Sequence, residues 1–142
     1  MSAPSVHPRR LAGIDIGTLT CRLLIADCSL QAPLKELQSD RRILRLGEGV
    51  DQTKRLSPAA MDRVIQCLCE WKAIIERCQV EGTAVVATSA VRDAANRAEF
   101  LDRVKREAGF DVEVITGDEE ARRTLLGIRS GLPPGVTDML AL

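Results

Sequence analysis

Aromatic residues are almost missing from this 142-residue chain, which has no tyrosine, two phenylalanines and one tryptophan. Trp71, Phe100 and Phe110 are too few for the stacking platforms on which single-stranded nucleic acid is held. An excess of charge of one sign is missing too. Lys plus Arg and Asp plus Glu each number 20, so the formal net charge is zero. That excludes a strongly basic nucleic-acid binder and leaves room only for a local patch. Long hydrophobic runs are also lacking: none approaches the roughly 18–20 apolar residues of a membrane span. The N-terminal segment holds Arg9 and Arg10 but leads into no apolar stretch with a cleavage site, so neither a membrane anchor nor a signal peptide is expected. Histidine occurs once, as His7. The cysteines (Cys21, Cys28, Cys67, Cys69 and Cys78) form no C-x-x-C pair, and a structural zinc site needs four closely spaced N or S ligands. They are expected to be reduced and in the core of a cytoplasmic protein.

What the chain does have is the composition of an ordinary globular domain, 45% hydrophobic and 28% charged. At this length one domain is expected, burying roughly two-thirds of its unfolded surface. Leu11–Gly17 reads as a short buried strand ending in a glycine turn. Thr20–Asp27 reads as its hairpin partner, and Lys35–Leu46 as a third strand that is apolar at its end. Gly47–Arg55 is read as a loop. Ser57-Pro58 supplies an N-cap and a first helical residue. Met61, Val64, Ile65, Leu68, Trp71, Ile75 and Cys78 then recur at spacings of three and four, one stripe on a helix of about six turns. The near-continuous apolar run Thr83–Thr88 reads as a buried, parallel central strand reached by a crossover. Ser89–Ala95 is a short helix. Asn96 with Glu99 has the capping-box spacing and opens a helix to about Ala108, stopped by Gly109. Asp111–Ile115 alternates as a strand, and Thr116 with Glu119 repeats the capping pattern before a helix to about Ser130. Three strands followed by helix, strand, helix, strand, helix is the ribonuclease H-like arrangement of the α/β class, a mixed sheet flanked by helices. Residues 1–10 are expected to be a flexible lead-in, 11–130 the domain, and 131–142 a linker with the start of a second domain.

Three segments that follow three different strands could meet at one edge of such a sheet. Asp15-Ile16-Gly17-Thr18-Leu19-Thr20 puts a carboxylate at a strand end, then a glycine and two hydroxyls. Backbone N–H groups in a turn of this kind can hold an anion. The hydroxyls of Thr18 and Thr20 add donors, and Asp15 can order magnesium through water. An ordinary hairpin turn bent at Gly17 has the same residues and is the commoner case. Thr88-Ser89-Ala90-Val91-Arg92-Asp93 lies where ligands of open α/β sheets collect. Arg92 offers a planar fork of donors suited to phosphate, and a surface pair with Asp93 accounts for it equally well. Gly117-Asp118-Glu119-Glu120-Ala121-Arg122 places acids in a helix's first turn, which the helix dipole favours in any protein. One of those carboxylates turned into a cleft could act as general base toward water. Phosphoanhydride hydrolysis needs such a base, a cationic clamp and usually magnesium. A fourth group is Arg41, Arg42 and Arg45 with Gly47-Glu48-Gly49. Arg45 could reach an extended polyanion, although a solvated strand face is the commoner reason for such a run.

In order along the chain, GIDIGTLTCRLLIAD, RLGEGVDQTKRLSP, AVVATSAVRDAANRAEFLDRV and VEVITGDEEARR resemble the exopolyphosphatase/guanosine pentaphosphate phosphohydrolase (Ppx/GppA) family, over about Leu11 to Ile128. Each motif alone is weak; four in order are specific. The resemblance implies the actin-like ATPase superfamily, with two ribonuclease H-like domains and an active site in the cleft between them. It implies a bacterial, cytoplasmic phosphohydrolase, homodimeric at full length and dependent on Mg2+. Such an enzyme releases terminal phosphate from inorganic polyphosphate or guanosine pentaphosphate. On the same basis Asp15, Gly17, Thr18 and Thr20 are the first phosphate loop and Arg92 contacts substrate phosphate. Glu120 activates the attacking water, with Glu119 its less favoured neighbour. Two departures stand out. Leu19 occupies a position where the family usually has asparagine or another polar residue, and it cannot donate to phosphate. The family's second phosphate loop, a D-x-G-G-G-S-x-E run carrying the main magnesium-binding carboxylates, is expected beyond Leu142. The chain is therefore expected to be the first domain of a longer protein and inactive alone. The rival readings are an actin-like kinase or ATPase domain, which would share the first loop but not the A-T-S-A-V-R and G-D-E-E-A-R pair, and a non-catalytic phosphate-sensing domain.

Overall fold

The computed structural model describes residues 7–130, with side chains through residue 126. Strands β1 (Arg9–Ile16), β2 (Thr20–Cys28) and β3 (Lys35–Ile43) form an antiparallel meander. A single turn, α1 (Val50–Thr53), precedes the long helix α2 (Pro58–Arg77). Then come β4 (Gly82–Ala87), α3 (Ser89–Asp93) and α4 (Arg97–Arg103), the last continued by a π-helical turn at Val104–Ala108. Strand β5 (Val112–Val114) and helix α5 (Gly117–Ser130) follow. The sheet order is β3-β2-β1-β4-β5, with β4 parallel to both β1 and β5. This is the ribonuclease H-like arrangement expected from the alternation of elements.

Helix α2 starts as its sequence dictates: the Ser57 side chain accepts the Ala60 N–H at 3.1 Å and Pro58 takes the first turn. Its stripe of Val64, Leu68 and Trp71 joins Phe100 and Val104 of the second helical segment in one core with Ile14, Ile16, Leu23, Ile25 and Val85 of the sheet. Fully burying such side chains is worth about 1.5–3 kcal/mol each. The Trp71 ring is wholly buried, yet its indole N–H keeps a partner, Asp40 Oδ2 at 2.8 Å. That bond, helped by Arg42, holds the Asp40 carboxyl below its ordinary range.

Several expectations are corrected. The strands at Leu11–Gly17 and Thr83–Thr88 are buried on one face only. Gly13, Asp15 and Ala84 look outward onto a face left open among the described residues, and glycine and alanine carry too little apolar surface to demand cover. Strand β1 starts at Arg9 rather than after residue 10, because Arg10 pairs with Asp27 at 2.9 Å and exchanges hydrogen bonds with Glu81. Strand β3 stops at Ile43, since the N–H groups of Leu44 and Arg45 both turn to the carbonyl of Leu19, at 3.0 and 2.9 Å. The stretch after it, read as a loop, contains the turn α1.

Asn96 makes no side-chain cap. Instead it is buried and clasps Leu56, accepting that residue's N–H at 2.8 Å and donating to its carbonyl at 2.9 Å. Thr116 does cap α5, its hydroxyl accepting the Glu119 N–H at 3.1 Å. All five cysteines are free, but only Cys21 and Cys67 are buried and Cys69 is exposed. Burial pushes the Cys21 thiol up to about 12 and the Cys67 thiol up to about 11. No helix among the described residues is long and apolar enough to cross a membrane. Most of the expected lead-in, the linker and the second-domain start lie outside the described residues.

Candidate active site

The parallel strands β1, β4 and β5 present their carboxyl ends at one end of the sheet, the usual ligand side of an open α/β fold. The backbone ties the three exits together: Thr88 N–H donates to Ile16 O at 3.2 Å and Ile115 N–H to Ala87 O at 3.1 Å. The β1–β2 turn closes through Gly17 N–H to Thr20 O at 3.0 Å. A Cβ at Gly17 would lie 2.7 Å from that same carbonyl, so the turn requires glycine. Thr18 then projects its hydroxyl to Ser89, Oγ1 to Oγ 2.8 Å, bridging the first and second segments. Gly47 backs the turn from the third side, its N–H donating to Thr18 O at 2.9 Å. Thr20 acts through its carbonyl, its hydroxyl having no hydrogen bond among the described residues. The Leu19 side chain is 55% exposed, and its carbonyl anchors Leu44 and Arg45.

Arg92 and Glu120 are brought together. The Arg92 guanidinium is fixed by Nη1 donating to Ile115 O at 2.8 Å, and the same nitrogen stands 3.9 Å from Glu120 Oε2. Asp93 is the alternative partner, 3.8 Å from Nε. The surface pair expected with Asp93 is therefore present together with the approach to Glu120. Asp15 lies near enough to feel Glu120. Crowding by the sheet raises its carboxyl above the ordinary value first, the Glu120 charge adds to this, and Arg22 opposes it. Glu119 faces elsewhere. It takes hydrogen bonds from Arg122 and Arg123 at 2.6–2.8 Å, which hold its carboxyl down at about 2. A carboxylate so committed makes a poor proton acceptor, whereas Glu120 has, among the described residues, only the 3.9 Å approach of Arg92.

Asp15, Thr18, Ser89, Arg92 and Glu120 thus surround one sheet end with hydroxyl donors, a cation and two carboxylates. No three His, Cys, Asp or Glu side chains cluster into a metal cage among the described residues. The mutual charge of Asp15 and Glu120 suits a hydrated divalent cation held through water. Ser89 and Gly47 lie in segments that the sequence singles out, but it gives neither residue a role. The only signals were a serine directly after Thr88 and the G-E-G spacing, and neither names its partner. A groove of about 740 Å³ runs from Asp15 over the open face of the sheet, between Gly13, Leu24, Ser39, Arg41, Ala84 and Val86, with Arg22 also in its lining. Arg22 and Arg41 are cross-strand neighbours there.

Known proteins match this chain closely. The Ppx/GppA phosphatase family matches residues 24–140. Exopolyphosphatase 2 of Mycobacterium tuberculosis is 38% identical over 126 residues, covering 83% of this chain and 40% of that protein. A bifunctional 3-dehydroquinate synthase/phosphatase of Fusobacterium nucleatum is 37% identical over 125 residues, covering 84% of this chain and 19% of that protein. The crystal structure of the Aquifex aeolicus member of the Ppx/GppA family superposes with a TM-score of 0.82 at 42% identity, covering 89% of this chain and 41% of that one. The chain therefore spans less than half the length of these relatives.

Proposed function

The chain belongs to the Ppx/GppA phosphatase family, and from that premise we propose that it is the first, phosphate-binding domain of an exopolyphosphatase-type phosphohydrolase. The observation that carries the reading is the meeting of Arg92 with Glu120 beside the Thr18–Ser89 bridge. Residues far apart in sequence supply a cation, its facing carboxylate and hydroxyl donors at one sheet end. The terminal phosphoryl of an inorganic polyphosphate chain docks against Arg92 and the 17–20 turn. Glu120 takes a proton from a water, whose oxygen attacks the terminal phosphorus in line with the bridging oxygen. The P–O bond to that bridge breaks, releasing orthophosphate and a chain one unit shorter. Arg92 counters the charge on the equatorial oxygens. A magnesium ion held through water at Asp15 would add charge neutralisation.

Guanosine pentaphosphate carries the same kind of terminal anhydride and fits the same chemistry. A bacterial, cytoplasmic homodimer of the full-length protein completes the reading. The test is phosphate release from polyphosphate by protein extended to its relatives' length, wild type against Glu120→Gln. Loss of a general base is expected to lower kcat by about 10²–10⁴-fold. A rate close to wild type would remove Glu120 from the reaction.

A further inference from the structure

Arg45 occupies left-handed backbone, φ 53, a conformation that glycine adopts without the penalty an L side chain incurs. Its backbone is fully engaged. The N–H donates to Leu19 O at 2.9 Å, while the carbonyl accepts from Glu48 N–H at 3.2 Å and from Arg63 Nη2 at 3.4 Å. Its side chain is exposed and makes no hydrogen bond or ion pair with any described residue. Three nearby arginines are occupied: Arg42 by Asp40 and Glu70, Arg63 by Leu44 O and Glu48, Arg92 by Ile115 O and Glu120. The fold therefore uses the backbone at position 45, for which glycine would serve better, and leaves the guanidinium unused.

The placement of that guanidinium follows from the sheet. Thr20 pairs with Ile43, so β3 ends at the same sheet end as β1, β4 and β5. Arg92 and Glu120 follow β4 and β5, on one side of the 17–20 turn. Arg45 follows β3 and is tied to Leu19, on the other side. We propose that Arg45 grips the second and later phosphates of a phosphoanhydride chain whose terminal phosphoryl sits at Arg92, so that the site prefers a phosphate chain to orthophosphate. The inference rests on the phosphate-site reading above and adds a specificity determinant to it. It also gives Leu19 a function its side chain does not supply, since the Leu19 carbonyl positions the cation.

The experiment titrates the 142-residue chain calorimetrically with tripolyphosphate and with orthophosphate, using wild type, Arg45→Gly and Arg92→Ala, and records the thermal unfolding of each. Arg45→Gly is expected to lose about tenfold in tripolyphosphate affinity, the worth of one charge-assisted contact. Its orthophosphate affinity should be unchanged and its Tm equal to or above wild type. Arg92→Ala is expected to weaken both ligands. Unchanged tripolyphosphate affinity in Arg45→Gly, an equal loss for both ligands, or a lowered Tm would overturn the role of Arg45 while leaving the site intact. A wild-type chain that binds neither ligand, or an Arg92→Ala variant that binds both normally, would overturn the phosphate-site reading and this inference with it.

Discussion

Gly47→Ala tests how the turn at Thr18 is held. An added Cβ would stand 2.3 Å from Thr18 Cγ2 and 3.2 Å from Ala90 Cβ, against the roughly 3.5–4.0 Å at which carbon atoms attract. Thr18 has two ways out. Rotating its side chain takes Oγ1 away from Ser89 Oγ, now 2.8 Å distant. Moving the backbone lengthens the 2.9 Å bond from Gly47 N–H to Thr18 O. A methyl group forced into a tight site costs about 1–3 kcal/mol, and the lost hydrogen bond about 0.5–1.5 kcal/mol, together roughly 1.5–4.5 kcal/mol. Domains are stable by about 5–15 kcal/mol, so the variant stays folded. At about 4 °C per kcal/mol for this size, its Tm falls by about 6–18 °C. Gly13→Ala is the control, because nothing lies within 4 Å of its added Cβ. Circular dichroism melts report the stability, and tripolyphosphate titration reports the site. The reasoning fails if Gly47→Ala melts and binds like wild type, or no worse than Gly13→Ala.

Two further outcomes concern the same architecture. The raised Asp15 carboxyl means that the folded chain binds that proton more readily than the unfolded chain. Its charge therefore costs stability at neutral pH, and the cost fades as pH falls through the folded value toward the unfolded one near 3.9. Asp15→Asn should accordingly melt higher than wild type at pH 7, with the gap closing below about pH 4, and should bind phosphate chains less well with magnesium present. A lower Tm at pH 7 would contradict the sign. Asn96→Ala removes both hydrogen bonds to Leu56 and strands a buried N–H and carbonyl. A loss of about 2–4 kcal/mol in denaturant titration is expected, and a loss under 0.5 kcal/mol would show that water or rearrangement replaces the clasp.

The order of elements along the chain and the long helix were legible because their signals are local: the glycine at the 17–19 turn, Ser57-Pro58 ahead of a stripe with helical spacing, and alternation in β5. The site was legible as three segments, since each directly follows a strand and parallel strands deliver their exits to one end. Long-range partners were not legible. Asn96 with Glu99 has the spacing of a capping box, but Leu56, 40 residues away, offers the side chain two backbone partners at once and takes it. The end of β3 is set by the carbonyl of Leu19, and the Thr18–Ser89 bridge spans 71 residues. Pattern at a single position carries no trace of such contacts. The near-continuous apolar run in β4 reads as a buried central strand, but an alanine such as Ala84 tolerates either burial or exposure.

The most direct measurement of the central claim is a nuclear magnetic resonance titration of the isotope-labelled chain with tripolyphosphate and magnesium, following backbone amides and arginine Nε–H groups. The account predicts that shifts concentrate at Gly17–Thr20, Ser89–Arg92 and Gly117–Glu120, with the Arg92 side chain among the largest. Shifts confined to Leu24, Ser39 and Arg41 on the open sheet face, or no shifts at all, would contradict it.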